Sequence, residues 1–102
     1  MDAFAVVAEP GRRRILDELL GGERTVNELS DRVEMSQPTT SKHLRVLLEA
    51  GMVAVRVDAQ RRCYRLDSPA LLEIDLWLAR YRDFWGERID SLEAHLNMKE
   101  TK

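Results

Sequence analysis

The chain has 102 residues, 44% of them hydrophobic and 33% charged, which is the size and composition of one folded domain. A net charge of −2 runs against nucleic-acid binding if only the sum is considered. A single cysteine, Cys63, excludes an internal disulfide framework and suits a reducing cytoplasm, and no apolar run reaches membrane-spanning length.

Residues 2–8 predict a short apolar helix, with no basic segment of the kind that opens a signal peptide. Pro10 suits a first helical turn, and Ile15, Leu16, Leu19 and Leu20 repeat at helical spacing until Gly21-Gly22. Thr25 with Glu28 three residues on is a capping box. It opens a helix over 25–33 whose inner face is Val26, Leu29 and Val33. After a break at Glu34-Met35, Ser36 caps another helix, Pro38 falls in its first turn, and Gly51 ends it.

This last helix, 36–50, starts with weak helix formers: Gln37, Thr39, Thr40 and Ser41 precede the leucines. At about 100° per residue, Thr40, Leu44, Leu47 and Leu48 share one side. Pro38, Thr39, Lys42, Arg45 and Glu49 lie roughly opposite, Ser41 flanks them, and Gln37 is at the exposed end. Amides, hydroxyls and cations so placed can bond to base edges in a major groove or hold phosphates. His43 lies in the same helix, with a phosphate contact or packing as its role. Two short helices joined by a tight turn have helix-turn-helix proportions, although such pairs also serve ordinary helical cores.

The period then changes. Val53, Val55 and Val57 alternate with Ala54 and Arg56, residues 58–61 turn, and Tyr64 and Leu66 share one face of a second strand while Cys63 and Arg65 share the other. This hairpin carries Arg61 and Arg62 at its tip, where they would touch a phosphate backbone or a minor groove. Residues 36–67 hold six basic and three acidic groups, a local balance of +3, against −3 for 1–35 and −2 for 68–102. The positive charge sits with the polar helix and the hairpin.

From residue 68 to about 96 the pattern predicts one helix, roughly 40 Å long. Its stripe is Leu71, Ile74, Leu78, Tyr81, Trp85, Ile89, Leu92 and Leu96, broadened by Trp77 and Phe84. That is more apolar surface than a domain of this size needs for itself. A homodimer is expected, with Phe4 and Val7 of the first helix and Leu71, Ile74, Leu78, Tyr81, Trp85, Ile89 and Leu92 meeting a second subunit. Residues 1–97 read as a single domain and 98–102 as a frayed tail. The fold expected is mainly α with a small β-hairpin wing: a winged helix-turn-helix dimerised through its terminal helices.

The stretch "RRRILDELL…ERTVNELSDRVEMSQPTTSKHLRVLLEAGMVAVRVDAQRRCYRLD" resembles the ArsR/SmtB-type winged-helix transcriptional regulators over nearly the whole chain. The most specific parts are "SQPTTSKHLRVLLEAGMV" and "RRCYRLD". The resemblance implies a homodimer that binds double-stranded DNA at an imperfect palindrome in a promoter, usually as a repressor. It also implies that Gln37, Pro38, Ser41 and Lys42 approach the bases. Where some members carry thiol ligands in the first helix of the motif, this chain has Ser30 and Arg32. Where others place Asp and His along the last helix, Asp75 is matched but Trp77, Arg88 and Ser91 occupy the other positions. The tail "LWLARYRDFWGERIDSLEAHL" is similar to metal-independent members. His43, His95 and Cys63 are too dispersed to make up a set of three or four ligands, so neither metal nor cofactor is expected. His95 suits the dipole of a helix C-terminus.

The DNA-binding set expected is therefore Gln37, Pro38, Thr39, Ser41, Lys42, His43, Arg45, Arg61 and Arg62, in a cytoplasmic protein whose effector the sequence does not name. Two alternatives stay open: a winged-helix protein-interaction module, and a thiol-based redox-responsive repressor using Cys63, which has Arg61, Arg62 and Arg65 close by in sequence. An enzyme is not expected. There is no Gly-rich phosphate loop, and Ser41 and His43, two apart in a helix, point different ways.

Overall fold

The computed structural model describes residues 1–100, with side-chain surroundings for all of these except 68, 87–95 and 97–100. Chain order is α1 (Ala3–Val7), α2 (Pro10–Leu19), β1 (Arg24–Thr25), α3 (Val26–Val33), α4 (Gln37–Glu49), β2 (Val53–Asp58), β3 (Arg61–Leu66) and α5 (Ser68–Glu100).

Each short helix begins on a side-chain cap. Asp2 accepts from the Ala5 amide at 2.8 Å, and Glu9 caps α2, with Pro10 at the first position, where no amide is missed. Both halves of the Thr25–Glu28 capping box form, at 2.9 and 3.3 Å. Ser36 Oγ accepts from the Thr39 amide at 3.3 Å. The end of α4 is a Schellman turn: Gly51 N–H donates to Leu48 O and Met52 N–H to Leu47 O, both at 3.0 Å. Gly51 sits at φ +75°, where any side chain would be strained, and Met52 is buried as the apolar partner of that turn.

The "RRR" run serves the fold. Arg12 Nε donates to Val6 O at 2.7 Å, a terminal N–H of Arg13 to Val7 O at 2.6 Å, and a terminal N–H of Arg14 to Val33 O at 3.1 Å. Three adjacent cations on α2 thus satisfy carbonyls at the C-terminal ends of α1 and α3, where the helix dipole also favours them.

The core gathers Val6, Ile15, Leu16, Leu19, Leu29, Val33, Leu44, Leu47, Met52, Val53 and Tyr64 from every element except β1 and α5. Leu71 and Ile74 at the start of α5 pack against it. The antiparallel sheet has the order β1-β3-β2. Its third strand, β1, was not expected. It is two residues long and lies inside the capping-box segment, so no alternation announces it.

Two other differences concern α5 and β3. The helix runs to Glu100, so 98–100, expected as a frayed tail, are helical, while 101–102 lie outside the described residues. Tyr64 and Cys63 point to opposite faces of β3 as expected, yet both are buried. At 1.5 Å per residue the 33 residues of α5 span about 50 Å, which matches the longest dimension of the molecule, 50 Å. The radius of gyration is 16.7 Å, against about 13 Å for a compact chain of this length. The long helix extends past the domain on which its first turns pack. Among the described residues no helix is long and apolar enough to cross a membrane.

Candidate nucleic-acid interface

The turn between α3 and α4 takes three residues. Glu34 adopts the left-handed conformation (φ 56°, ψ 43°), and its N–H bonds Ser30 O. Ser30 Oγ donates to Met35 O at 2.5 Å, and the Met35 N–H returns to Ser30 O at 3.2 Å. Ser36 then starts α4. Thr40, fully buried, donates its hydroxyl to Ser36 O at 2.9 Å, and so it can face the core without an unpaired polar group. Leu44 and Leu47 continue that inner face. Ser36 Oγ also donates to the Thr39 hydroxyl at 3.0 Å.

The remaining front of α4 faces out. Gln37, Pro38, Thr39, Ser41, Lys42, Arg45 and Glu49 are all exposed. Gln37, Ser41, Lys42 and Arg45 make no side-chain hydrogen bond or ion pair among the described residues. Of the helix positions expected to meet DNA, the structure brings all but one to this face. The exception is His43. Its side chain is 17% exposed and its Nε2 lies 3.4 Å from Glu9 Oε2, at the start of α2. Its packing role prevails over the outward one because position 43 is next to Leu44 on the inner side. No sequence signal pairs it with Glu9, which is 34 residues away.

The wing is β2 and β3, closed by the two-residue turn Ala59-Gln60 between the paired residues Asp58 and Arg61. Ala59 carries φ +57°, a conformation in which glycine or asparagine is usual. Arg61 and Arg62 are both exposed at the tip and, as neighbours in a strand, diverge to opposite faces. Arg61 lies 3.5 Å from Asp58 Oδ2, whereas Arg62 is unpaired among the described residues. The tip lies beside the start of α3, across a groove lined by Thr25, Val26, Asn27, Gln60, Arg61 and Arg62.

Register places Thr25, Cys63 and Arg56 on one face of the sheet, and Glu23, just before β1, reaches Arg56. Arg56 clasps the Glu23 carboxylate through Nε at 2.9 Å and through a terminal nitrogen at 2.6 Å. That hydrogen bond holds the Glu23 carboxyl below its usual range and raises the Arg56 guanidinium. Glu28 is likewise lowered, by the Thr25 backbone amide first and then the Thr25 side chain. Arg56 is therefore engaged within the sheet, and Cys63 is buried on its central strand. Among the described residues no group of three or more His, Cys, Asp or Glu side chains could hold a metal ion.

At the other end of the molecule, aromatic rings run in series. Phe4 meets Trp77 edge-on at 5.4 Å, Trp77 meets Tyr81 at 5.0 Å, and Tyr81 stacks on Trp85 at 5.8 Å. Of the residues expected at a subunit interface, Val7, Leu71 and Ile74 pack against the chain's own core, while Phe4, Leu78, Tyr81 and Trp85 are half-buried. Ile89 and Leu92 lie outside the residues whose side chains are described. Among the described residues, the large apolar side chains left exposed on α5 are Leu72, Leu76, Trp77, Phe84 and Leu96. Leu72 and Leu76 fall outside the stripe at 71, 74 and 78, so its periodicity does not select them.

A helix-turn-helix followed directly by a two-stranded wing defines the winged helix-turn-helix class. A family model described as bacterial regulatory protein, arsR family, matches residues 9–55, the segment from the α2 cap into β2. The chain is 42% identical to the crystal structure of a possible transcriptional regulator for arsenical resistance, covering 93% of this chain and 96% of that one with a TM-score of 0.71. It is 29% identical over 80 residues to the transcriptional repressor SdpR of Bacillus subtilis, 78% of this chain and 89% of that protein. It is 27% identical to the solution structure of the homodimeric winged helix-turn-helix DNA-binding domain Mb0332 from Mycobacterium bovis, covering 79% and 75% with a TM-score of 0.65. The chain belongs to the ArsR family of transcriptional regulators, which are not enzymes.

Proposed function

We propose that this chain is a dimeric, sequence-specific DNA-binding repressor that needs no metal and acts at an imperfect palindrome in its own or a neighbouring promoter. The observation that carries the proposal is the division of α4. Thr40, Leu44 and Leu47 fix one side in the core, and the opposite side offers Gln37, Pro38, Thr39, Ser41, Lys42 and Arg45 to the outside. In this arrangement Gln37, Ser41 and Lys42 meet base edges in a major groove, and Arg61 and Arg62 on the wing take phosphates or a minor groove. The second copy docks through α1 and the aromatic side of α5, which sets two reading helices about 34 Å apart on one face of the duplex. The repressor role is supported by SdpR, and the dimer by the homodimeric domain from Mycobacterium bovis.

The test is an anisotropy titration of the chain's own upstream DNA against a scrambled duplex, repeated over a salt series. The expected result is a strong preference for the upstream duplex at two chains per site. The four wing arginines of a dimer alone would give log K a slope of roughly −3 to −4 against log salt. Binding that ignores salt would point to a protein partner for this face.

A further inference from the structure

Besides the core packing of Thr40, Leu44 and Leu47, one contact between charged or polar side chains ties α4 to the link between α1 and α2. Glu9, in the link between α1 and α2, has its carboxylate on the Arg12 amide at 3.2 Å and on His43 Nε2 of α4 at 3.4 Å. The Gly11 amide first, and then the Arg12 amide, hold the Glu9 carboxyl below its usual range. Gly11 is buried, and a Cβ there would lie 2.9 Å from Glu9 Oε2 and 3.0 Å from His43 Nε2. The absence of a side chain at position 11 is what lets the carboxylate and the imidazole meet.

The same few residues grip α1. Arg12 and Arg13 bond the carbonyls of Val6 and Val7, and α1 rests on α5 through Phe4 and Trp77. A continuous set of contacts therefore joins the long helix to α4: Trp77 to Phe4, the end of α1 to Arg12 and Arg13, and Glu9 to His43. We infer that Glu9, Gly11 and His43 form a positioning joint for the reading helix, so that DNA affinity depends on residues outside the face that meets the duplex. The inference rests on α4 being the helix that reads DNA.

The test uses the full chain and a duplex selected by it from a random-sequence pool. Gly11→Ala pushes apart two side-chain ends without touching backbone, and Glu9→Gln keeps a capping oxygen but removes the charge. His43→Leu removes the polar ring that meets Glu9, and His43→Gln puts a polar group back. We expect Gly11→Ala, Glu9→Gln and His43→Leu each to weaken binding about tenfold with little change in Tm, and His43→Gln to recover most of that loss. The Glu9→Gln, His43→Leu double variant should bind no more weakly than either single one. Additive losses in the double variant, equal losses for His43→Leu and His43→Gln, or losses that follow Tm would overturn the joint and leave DNA reading by α4 in place. A pool that yields no preferred duplex would sink both.

Discussion

The two helices that face outward, α4 and α5, differ in how completely this chain accounts for them. α4 has one apolar side taken up by its own core, and on its polar side Gln37, Ser41, Lys42 and Arg45 make no side-chain hydrogen bond or ion pair among the described residues. α5 uses Leu71 and Ile74 on that core, then continues with aromatic rings in series and with Leu72, Leu76 and Trp77 still exposed. The first is a finished structural element with a surface left over for a polar partner. The second leaves large apolar side chains in contact with solvent. In a chain of 102 residues, where the core is small, that contrast is what the proposed function requires: one polar face for nucleic acid and one apolar face for a second subunit.

The largest effect should come from breaking the finished side. Leu44 is fully buried, and Leu44→Ala should lower unfolding stability by about 2–5 kcal/mol in a denaturant titration. A small loss would mean that α4 is docked less firmly than its burial implies. Breaking the unfinished side should act on association instead. Trp77→Glu should weaken dimerisation by about 2 kcal/mol or more in sedimentation equilibrium, with helix content unchanged by circular dichroism. If the variant unfolds without dissociating, the aromatic series serves only its own domain.

Gly51→Ala forces a side chain into φ +75° at the end of α4 and should cost about 1 kcal/mol by thermal unfolding. The wing offers the opposite sign. Ala59→Gly relieves φ +57° and should add about 0.5–1 kcal/mol, seen as a higher Tm. The gentlest probe is acid. The carboxyls of Glu9, Glu23 and Glu28 are lowered in the folded chain from a starting value of 4.5, so the unfolded chain takes up their protons first. Their contribution is complete above pH 4.5 and is lost as pH falls through their folded values. The midpoint of urea unfolding should drop across that window in the wild type and less in Glu23→Gln.

How much of this was legible in the sequence follows the range of the interactions involved. The Thr25–Glu28 and Ser36 caps, the Gly51 stop, the turn over 58–61 and the split of α4 depend on spacings of a few residues, and pattern alone finds them, whereas the Asp2 and Glu9 caps emerge only in the structure. β1 depends on pairing with β3 some forty residues later, and a two-residue strand has no period to detect. The same limit hides the contact between His43 and Glu9, so the sequence leaves His43 between a phosphate contact and packing, and only the structure shows the packing. The carbonyl partners of the "RRR" run lie up to 19 residues away, so no local spacing assigns those arginines to the fold. On α5 the stripe was found, but which of its residues serve the chain's own core depends on how the helix lies on the domain.

The claim at the centre of this account is that α4 reads bases while the wing anchors to backbone. It is tested most directly by the ratio of affinities for a selected duplex and its scrambled counterpart, measured in Gln37→Ala, Lys42→Ala and Arg62→Ala at one salt concentration. The account predicts that Gln37→Ala and Lys42→Ala lower the ratio, by about 1–3 kcal/mol for a well-made base contact, while Arg62→Ala weakens both duplexes alike and leaves it unchanged. A ratio that survives both α4 substitutions would show that the polar front of this helix does not read sequence.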